Sequence, residues 1–230
     1  MKKANIATLF VFFLILPITL YVGTLISGKG YYVTGTVIII ELMIPFFMAF
    51  EGKKPQAREL VVIAVMCTLA IVGRVAIPIP NFKAAFAIIM ISGIAFGPQT
   101  GYVVGAITAL VSDFFYGQGA YMPWQMMAYG AGGMLAGFIF QSKRLKRTPW
   151  TMAIVGFLLV LLWIGPLLDC AHLFLMMPEI NKSTVFASLA SGFPVNISQA
   201  TSTVLIMLVF GRPLLDKLER IKLKYGMMEG

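Results

Sequence analysis

The stretch at 150–177, WTMAIVGFLLVLLWIGPLLDCAHLFLMM, constrains this chain more than any other, because it holds a single carboxylate among otherwise apolar and neutral side chains. A helix crosses a bilayer with roughly 20 predominantly apolar residues, so this stretch is long enough by itself. Further apolar runs at 5–27, 31–50, 58–79, 83–97, 99–116, 121–141 and 184–211 bring the candidate spans to eight within 230 residues. Composition points the same way: 59% of residues are apolar and 12% charged, where an average soluble domain carries about a quarter charged residues. The mean hydropathy is +0.89. Too little polar surface remains to cover a water-exposed globule, and no room is left for a soluble domain. The expected fold class is an all-α integral membrane protein.

The net charge of +9 does not indicate nucleic acid, because the basic residues fall in short clusters between apolar runs. That pattern is the one that orients membrane proteins. With the N-terminus inside, Lys2, Lys3, Lys53, Lys54, Arg58, Lys143, Arg144, Lys146, Arg147, Arg212, Lys217, Arg220, Lys222 and Lys224 are cytoplasmic. Only Lys29, Arg74, Lys83 and Lys182 face the other way. An even number of spans and two cytoplasmic termini in a cell membrane are therefore expected. The run at 5–27 is longer than the apolar part of a signal peptide, about 7–15 residues, and no A-x-A site follows it. It is read as a retained span.

The run at 83–97 is short, rising only about 22 Å at 1.5 Å per residue. Neighbours must shield such a helix, or it must border water, which places a cavity near 79–83. Gly101, Gly105 and Ala109 recur every four residues, as do Ala128, Gly132 and Ala136, with Gly133 and Gly137 in a second row. Small residues at this spacing let helix backbones approach closely in lipid, and packing within the chain is the expected use.

Catalytic motifs are lacking. There is no P-loop, HExxH or G-x-S-x-G, and one histidine, His172, builds no ordinary zinc site. No metal, catalytic residue or permanently bound cofactor is expected. Cys67 and Cys170 lie within apolar runs and read as small buried hydrophobes. What remains is a set of polar groups that are costly at membrane depth. Arg74, Asn81 and Lys83 flank the Pro78–Pro80 break; Asp113 and Tyr116 end one run; Gln118, Tyr121, Trp124 and Gln125 open the next. Asp169 and His172 share a helix face, as do Asn196 and Gln199. Plain structural roles stand beside the functional one: an interfacial belt for Tyr121, an ion pair of Asp113 with Arg74 or Lys83, a self-satisfied Asp169–His172 pair. Glu41, mid-span, has no evident role. Around one outer cavity these aromatic, amide and charged groups suit a polar organic molecule. The residues alone leave open a stand-alone secondary transporter, an intramembrane enzyme using Asp169 and His172, and a structural subunit.

Three stretches carry a family resemblance: RELVVIAVMCTLAIVGR at 58–74; PNFKAAFAIIMISGIAFGPQTGYVVGAITALVSDFFYGQGAYMPWQMMAYGAGGMLAG at 80–137; and GRPLLDKLERIKLKYG at 211–226. Over about 58–225 the chain resembles the S component of energy-coupling-factor (ECF) vitamin transporters, and among these the cobalamin-specific type. The resemblance implies a six-helix core at 58–230 preceded by two additional transmembrane helices at 1–57. It implies a subunit that captures a vitamin, a corrinoid for the cobalamin type, from outside. The vitamin then passes inward with a transmembrane coupling protein and two ATPases, which would use the ATP. It assigns ligand contacts to Asn81, Phe82, Lys83, Tyr116, Gln118, Tyr121, Trp124, Gln125, Asp169, His172 and Asn196, beside Arg74 and Asp113. It also assigns coupling-protein docking to a small-residue face at Ala64 and Thr68.

Overall fold

The computed structural model describes residues 10–25, 37, 40–41, 57–77, 79–119, 121–141, 145–177 and 180–227, and every regular element among them is a helix. Helix α1 opens with a π turn, Val11–Ile15, and continues as Leu16–Leu25. Six helices follow: α2 (Ala57–Val75), α3 (Ala85–Phe96), α4 (Pro98–Tyr116), α5 (Met122–Gln141), α6 (Pro149–Met176) and α7 (Lys182–Tyr225). Helices α6 and α7 are each long and apolar enough to cross a membrane. The run at 31–50 lies outside the described residues except for positions 37, 40 and 41, which are helical. Glu41 is buried there and accepts a hydrogen bond from the Thr19 hydroxyl of α1.

The helix ends follow local chemistry. Thr148 and Asn181 form capping boxes with Thr151 and Thr184 at the starts of α6 and α7, satisfying backbone donors that a helix start leaves free. Helix α2 ends at Val75, short of the expected 79, because residues preceding Pro78 and Pro80 are steered out of the helical region. Helix α7 departs most from expectation. It runs past 211 without a break to Tyr225, held by the Arg212–Asp216 pair at 3.0 Å and by burial of Leu215 and Leu218. Gly226, at φ 58°, then ends it in the left-handed conformation that glycine adopts freely.

Each π turn precedes a proline by the same distance. Val11–Ile15 leads to Pro17, Val160–Ile164 to Pro166 and Met207–Gly211 to Pro213. A proline ring clashes with the carbonyl four residues back and offers it no N–H. Widening the preceding turn relieves that clash without ending the helix. At α6 the Gly165 N–H bonds to the carbonyl of Val160, five residues back.

Helix α3 has the length that demanded shielding, and it is shielded: all but one of its residues, Ile88, are buried. Around it Phe86, Ile89, Met90 and Ile91 form the core with Met66 of α2, Tyr129 and Phe140 of α5, Met152 and Ile164 of α6 and Met207 of α7. The small-residue rows do pack within the chain. A methyl placed on Gly101 or Gly133 would overlap the other residue's backbone, and one on Gly137 would stand 2.7 Å from the Pro98 Cα. The row at Gly133 and Gly137 makes this contact, together with Gly93 of α3; Gly132 faces Ile164 instead.

The six helices α2–α7 present two unlike ends. At one end Arg147 pairs with Glu219 at 2.6 Å, Lys222 Nζ donates to the Ala95 carbonyl at 3.5 Å, and Arg58 lies 5.9 Å from the Tyr225 ring centroid. Among the described residues, Arg58, Lys146, Arg147, Arg212, Lys217, Arg220, Lys222 and Lys224 fall at that end. At the other end the C-termini of α2, α4 and α6 meet the N-termini of α3, α5 and α7 around a cavity.

Candidate ligand-binding cavity

The floor of this cavity is built on Arg74, the last charged residue of α2. Its side chain is 9% exposed and its guanidinium is divided between two neighbouring helices. Nη1 donates to Asp113 Oδ1 at 3.0 Å and to the Ser112 hydroxyl, both on α4; Nη2 donates to Gln125 Oε1 on α5 at 2.8 Å. The guanidinium also lies over the rings of Tyr116 and Tyr129, 5.2 and 5.1 Å from their centroids. Tyr116 closes the circuit, its hydroxyl donating to the Arg74 carbonyl at 2.8 Å. A buried charge needs such a full set of partners, because an unpaired one costs several kcal/mol.

Lys83 stands at the side wall. Its ammonium donates to the Tyr116 hydroxyl at 3.3 Å, and its backbone is clasped by Ser202 of α7. The far wall comes from α6 and α7, where Asn196 Nδ2 donates to Asp169 Oδ2 at 2.8 Å and Ser188 donates to the Asp169 carbonyl at 2.9 Å. Gly192 lets α7 pass this carboxylate, since a methyl there would overlap it. Tyr121 ties the wall to the α5 entrance by donating to the Leu168 carbonyl at 3.1 Å. The cavity, open on one side, has a volume of about 340 Å³. Arg74, Tyr129, Ser188 and Asn196 are buried at its base, while Tyr116, His172 and Ser191 are exposed at its rim.

Nine of the residues singled out in the sequence line this space: Arg74, Lys83, Tyr116, Tyr121, Gln125, Asp169, His172, Asn196 and Gln199. Asp113 sits directly behind Arg74 as its counter-ion. The other four lie outside the lining. Trp124 is 2% exposed and stacks on Phe174, centroids 5.6 Å apart, on the side of α5 that packs with α1, α4 and α6. Gln118 is exposed and donates to the Leu110 carbonyl at 3.3 Å. Asn81 is exposed at φ 59°, a left-handed position that asparagine tolerates better than most residues. Half-buried Phe82 follows it in the same turn. Asp169 and His172 face the same cavity, but the carboxylate is bonded by Asn196. Ala64 and Thr68 lie on an exposed face of α2, with the Thr68 hydroxyl donating to the Ala64 carbonyl at 2.9 Å.

Several lining residues were not singled out in the sequence: Tyr129, Leu168, Ser188, Ser191, Gly192 and Val195. The signal for most of them was helical spacing. Tyr121, Gln125 and Tyr129 recur every four residues on α5, and Ser188, Gly192, Asn196 and Gln199 follow one another at four, four and three on α7. Among the described residues no group of three or more His, Cys, Asp or Glu is placed to hold a metal.

The family described as ECF-type riboflavin transporter, S component, matches residues 54–216. A UPF0397 protein of Vibrio atlanticus is 32% identical over 88 residues, 36% of this chain and 48% of that protein. Another, of Aliivibrio salmonicida, is 32% identical over 96 residues, 39% of this chain and 52% of that protein. The match spans about half the length of these curated relatives. No solved structure matches.

Proposed function

The chain belongs to the family of ECF-type S components, and from that premise we propose that its cavity captures a water-soluble vitamin for uptake through partner subunits. S components are membrane proteins that bind the transported substrate, and theirs is not an enzyme family. The observation that carries the proposal is the cavity itself: a buried base organised by the Arg74–Asp113 pair, mixed hydrogen-bonding walls and an exposed rim. It lies at the end of the helices opposite the basic clusters. Positive charge favours the cytoplasmic side, so the cavity faces outward and both termini lie inside.

In this reading Tyr116 and Tyr121 supply flat contact area at the entrance, with Lys83, Gln125 and Asn196 fixing orientation through hydrogen bonds. Arg74 and Asp113 hold the base in shape. Phe82, Gln118 and Trp124 support the neighbouring turn and helix. The exposed face of α2 at Ala64 and Thr68 is offered to a transmembrane coupling protein. Two ATPase subunits supply ATP-driven energy, and the chain itself keeps no permanent cofactor. The helices N-terminal to residue 57 are an addition to the transporting core.

Two vitamins compete. The family's description favours riboflavin, and the resemblance of the central stretch favours a corrinoid. A volume of about 340 Å³ lies at the low end of the roughly 300–1,000 Å³ of small-molecule sites. That size suits a single flat ring system, whereas a corrinoid would seat only one edge and leave the rest beyond the rim. We favour the smaller molecule. The test is uptake of riboflavin and of cobalamin in cells expressing the chain with and without a coupling module. Vitamin uptake that requires the module supports the proposal; uptake that persists without it points to a stand-alone transporter.

A further inference from the structure

A second space lies away from the cavity, between α2, α3 and α7. It is a groove of about 330 Å³ with walls that include Leu69, Ile88, Ile206, Phe210, Pro213 and Leu214, and with Lys217 among its lining residues. The α7 residues Ile206, Phe210, Pro213 and Lys217 recur at four, three and four, one stripe of a helix. The same stripe continues to Arg220 and Lys224. Thus an apolar channel along a membrane-spanning helix ends in a row of cations.

Among the described residues, not all the charges at that end are paired. Both carboxylates of the segment are taken, Asp216 by Arg212 at 3.0 Å and Glu219 by Arg147 at 2.6 Å. Lys217 and Arg220 are exposed and, among the described residues, have no carboxylate partner. Helix α1 does not cover the groove: Val11 and Ile15 pack with Tyr102, Val103 and Trp124 in a separate cluster. An apolar groove in a bilayer fills with chains as apolar as itself, and cations at the lipid–water boundary attract anionic headgroups.

We propose that this groove binds one anionic phospholipid, an acyl chain between α2 and α7 and the headgroup phosphate on Lys217 and Arg220. The inference rests on the membrane setting of the helices and not on which vitamin the cavity takes. Binding there would occupy the gap over α3, whose Ile88 is its one residue not fully buried.

The experiment is native mass spectrometry of the full chain, released from detergent after incubation with phosphatidylglycerol or phosphatidylcholine of identical acyl chains. One phosphatidylglycerol is expected to be retained at concentrations where phosphatidylcholine is lost. Lys217→Gln with Arg220→Gln should weaken that retention about fivefold for each charge removed. Leu214→Trp, which fills the groove without touching the charges, should also abolish it. The vitamin affinity of each variant serves as the check on folding, since none of these residues lines the cavity. Equal retention of both lipids, or unchanged retention in either variant, overturns the proposal. So does retention only when a coupling protein is co-expressed, because the groove would then belong to a protein partner.

Discussion

Arg74 shows how one side chain organises the cavity. Its partners on α4 and α5 close the base, and Asp113 depends on it for charge balance. Removing the guanidinium alone, as in Arg74→Met, strands a buried carboxylate, and we expect a loss of about 3–5 kcal/mol of stability. Adding Asp113→Leu should recover much of that stability while leaving vitamin affinity poor, and paired thermal-unfolding and binding measurements separate the two effects. Trp124 provides the contrast. It packs against Phe174 outside the lining, so Trp124→Ala should cost about 3–5 kcal/mol of stability and leave affinity within a few-fold in protein that stays folded. The sequence makes Arg74, Lys83 and Asp169 stand out because a charge at membrane depth is costly wherever it occurs. It cannot separate Trp124 from Tyr121, because both are aromatic at a helix entrance and only the rotation of α5 turns one inward.

At the scale of the element, prolines and glycines carry the geometry. The π turn before Pro166 lies directly ahead of the part of α6 that carries Asp169 and His172 to the cavity. Pro166→Ala removes the clash that the widened turn relieves, so α6 is free to regularise. We expect unchanged or higher thermal stability with weaker ligand binding. Pro213→Ala, at the opposite end of the helices, should leave binding alone. Close packing is equally specific. Gly133→Ala thrusts a methyl against the Gly101 carbonyl and should cost about 1–3 kcal/mol. Gly119→Ala meets nothing within 4 Å and should be neutral in the same thermal assay. The small-residue rows could be read directly from their spacing, as could the need to shelter the short helix α3. The row that makes the contact, and the part played by Gly93, could not, since spacing alone does not say how two helices are rotated against each other. The reach of α7 was hidden for a different reason. Its last turns are basic, as a cytoplasmic tail would be, and only the pairs with Asp216 and Glu219 and the buried Leu215 and Leu218 make them helical.

Across the whole molecule, charge and chemistry are segregated. Among the described residues, Arg58 of α2, Arg147 ahead of α6 and the basic side chains of α7 from Arg212 to Lys224 lie at one end of the helices and the hydrogen-bonding cavity at the other. The family match spans 54–216, which contains the entire cavity. Apolar runs and the absence of catalytic motifs made this architecture legible. The identity of the ligand was not, because specificity depends on volume and on the rotation of α5, α6 and α7 around the cavity. The most direct measurement is equilibrium binding of a panel of vitamins to the purified chain, repeated with Asn196→Ala and with Gly192→Ala, whose methyl displaces Asp169. The account predicts one vitamin bound one-to-one below about micromolar, with at least about tenfold loss in both variants, as expected for removing hydrogen bonds worth roughly 1.5–3 kcal/mol each. Failure of every vitamin to bind, or binding that neither variant weakens, would contradict it.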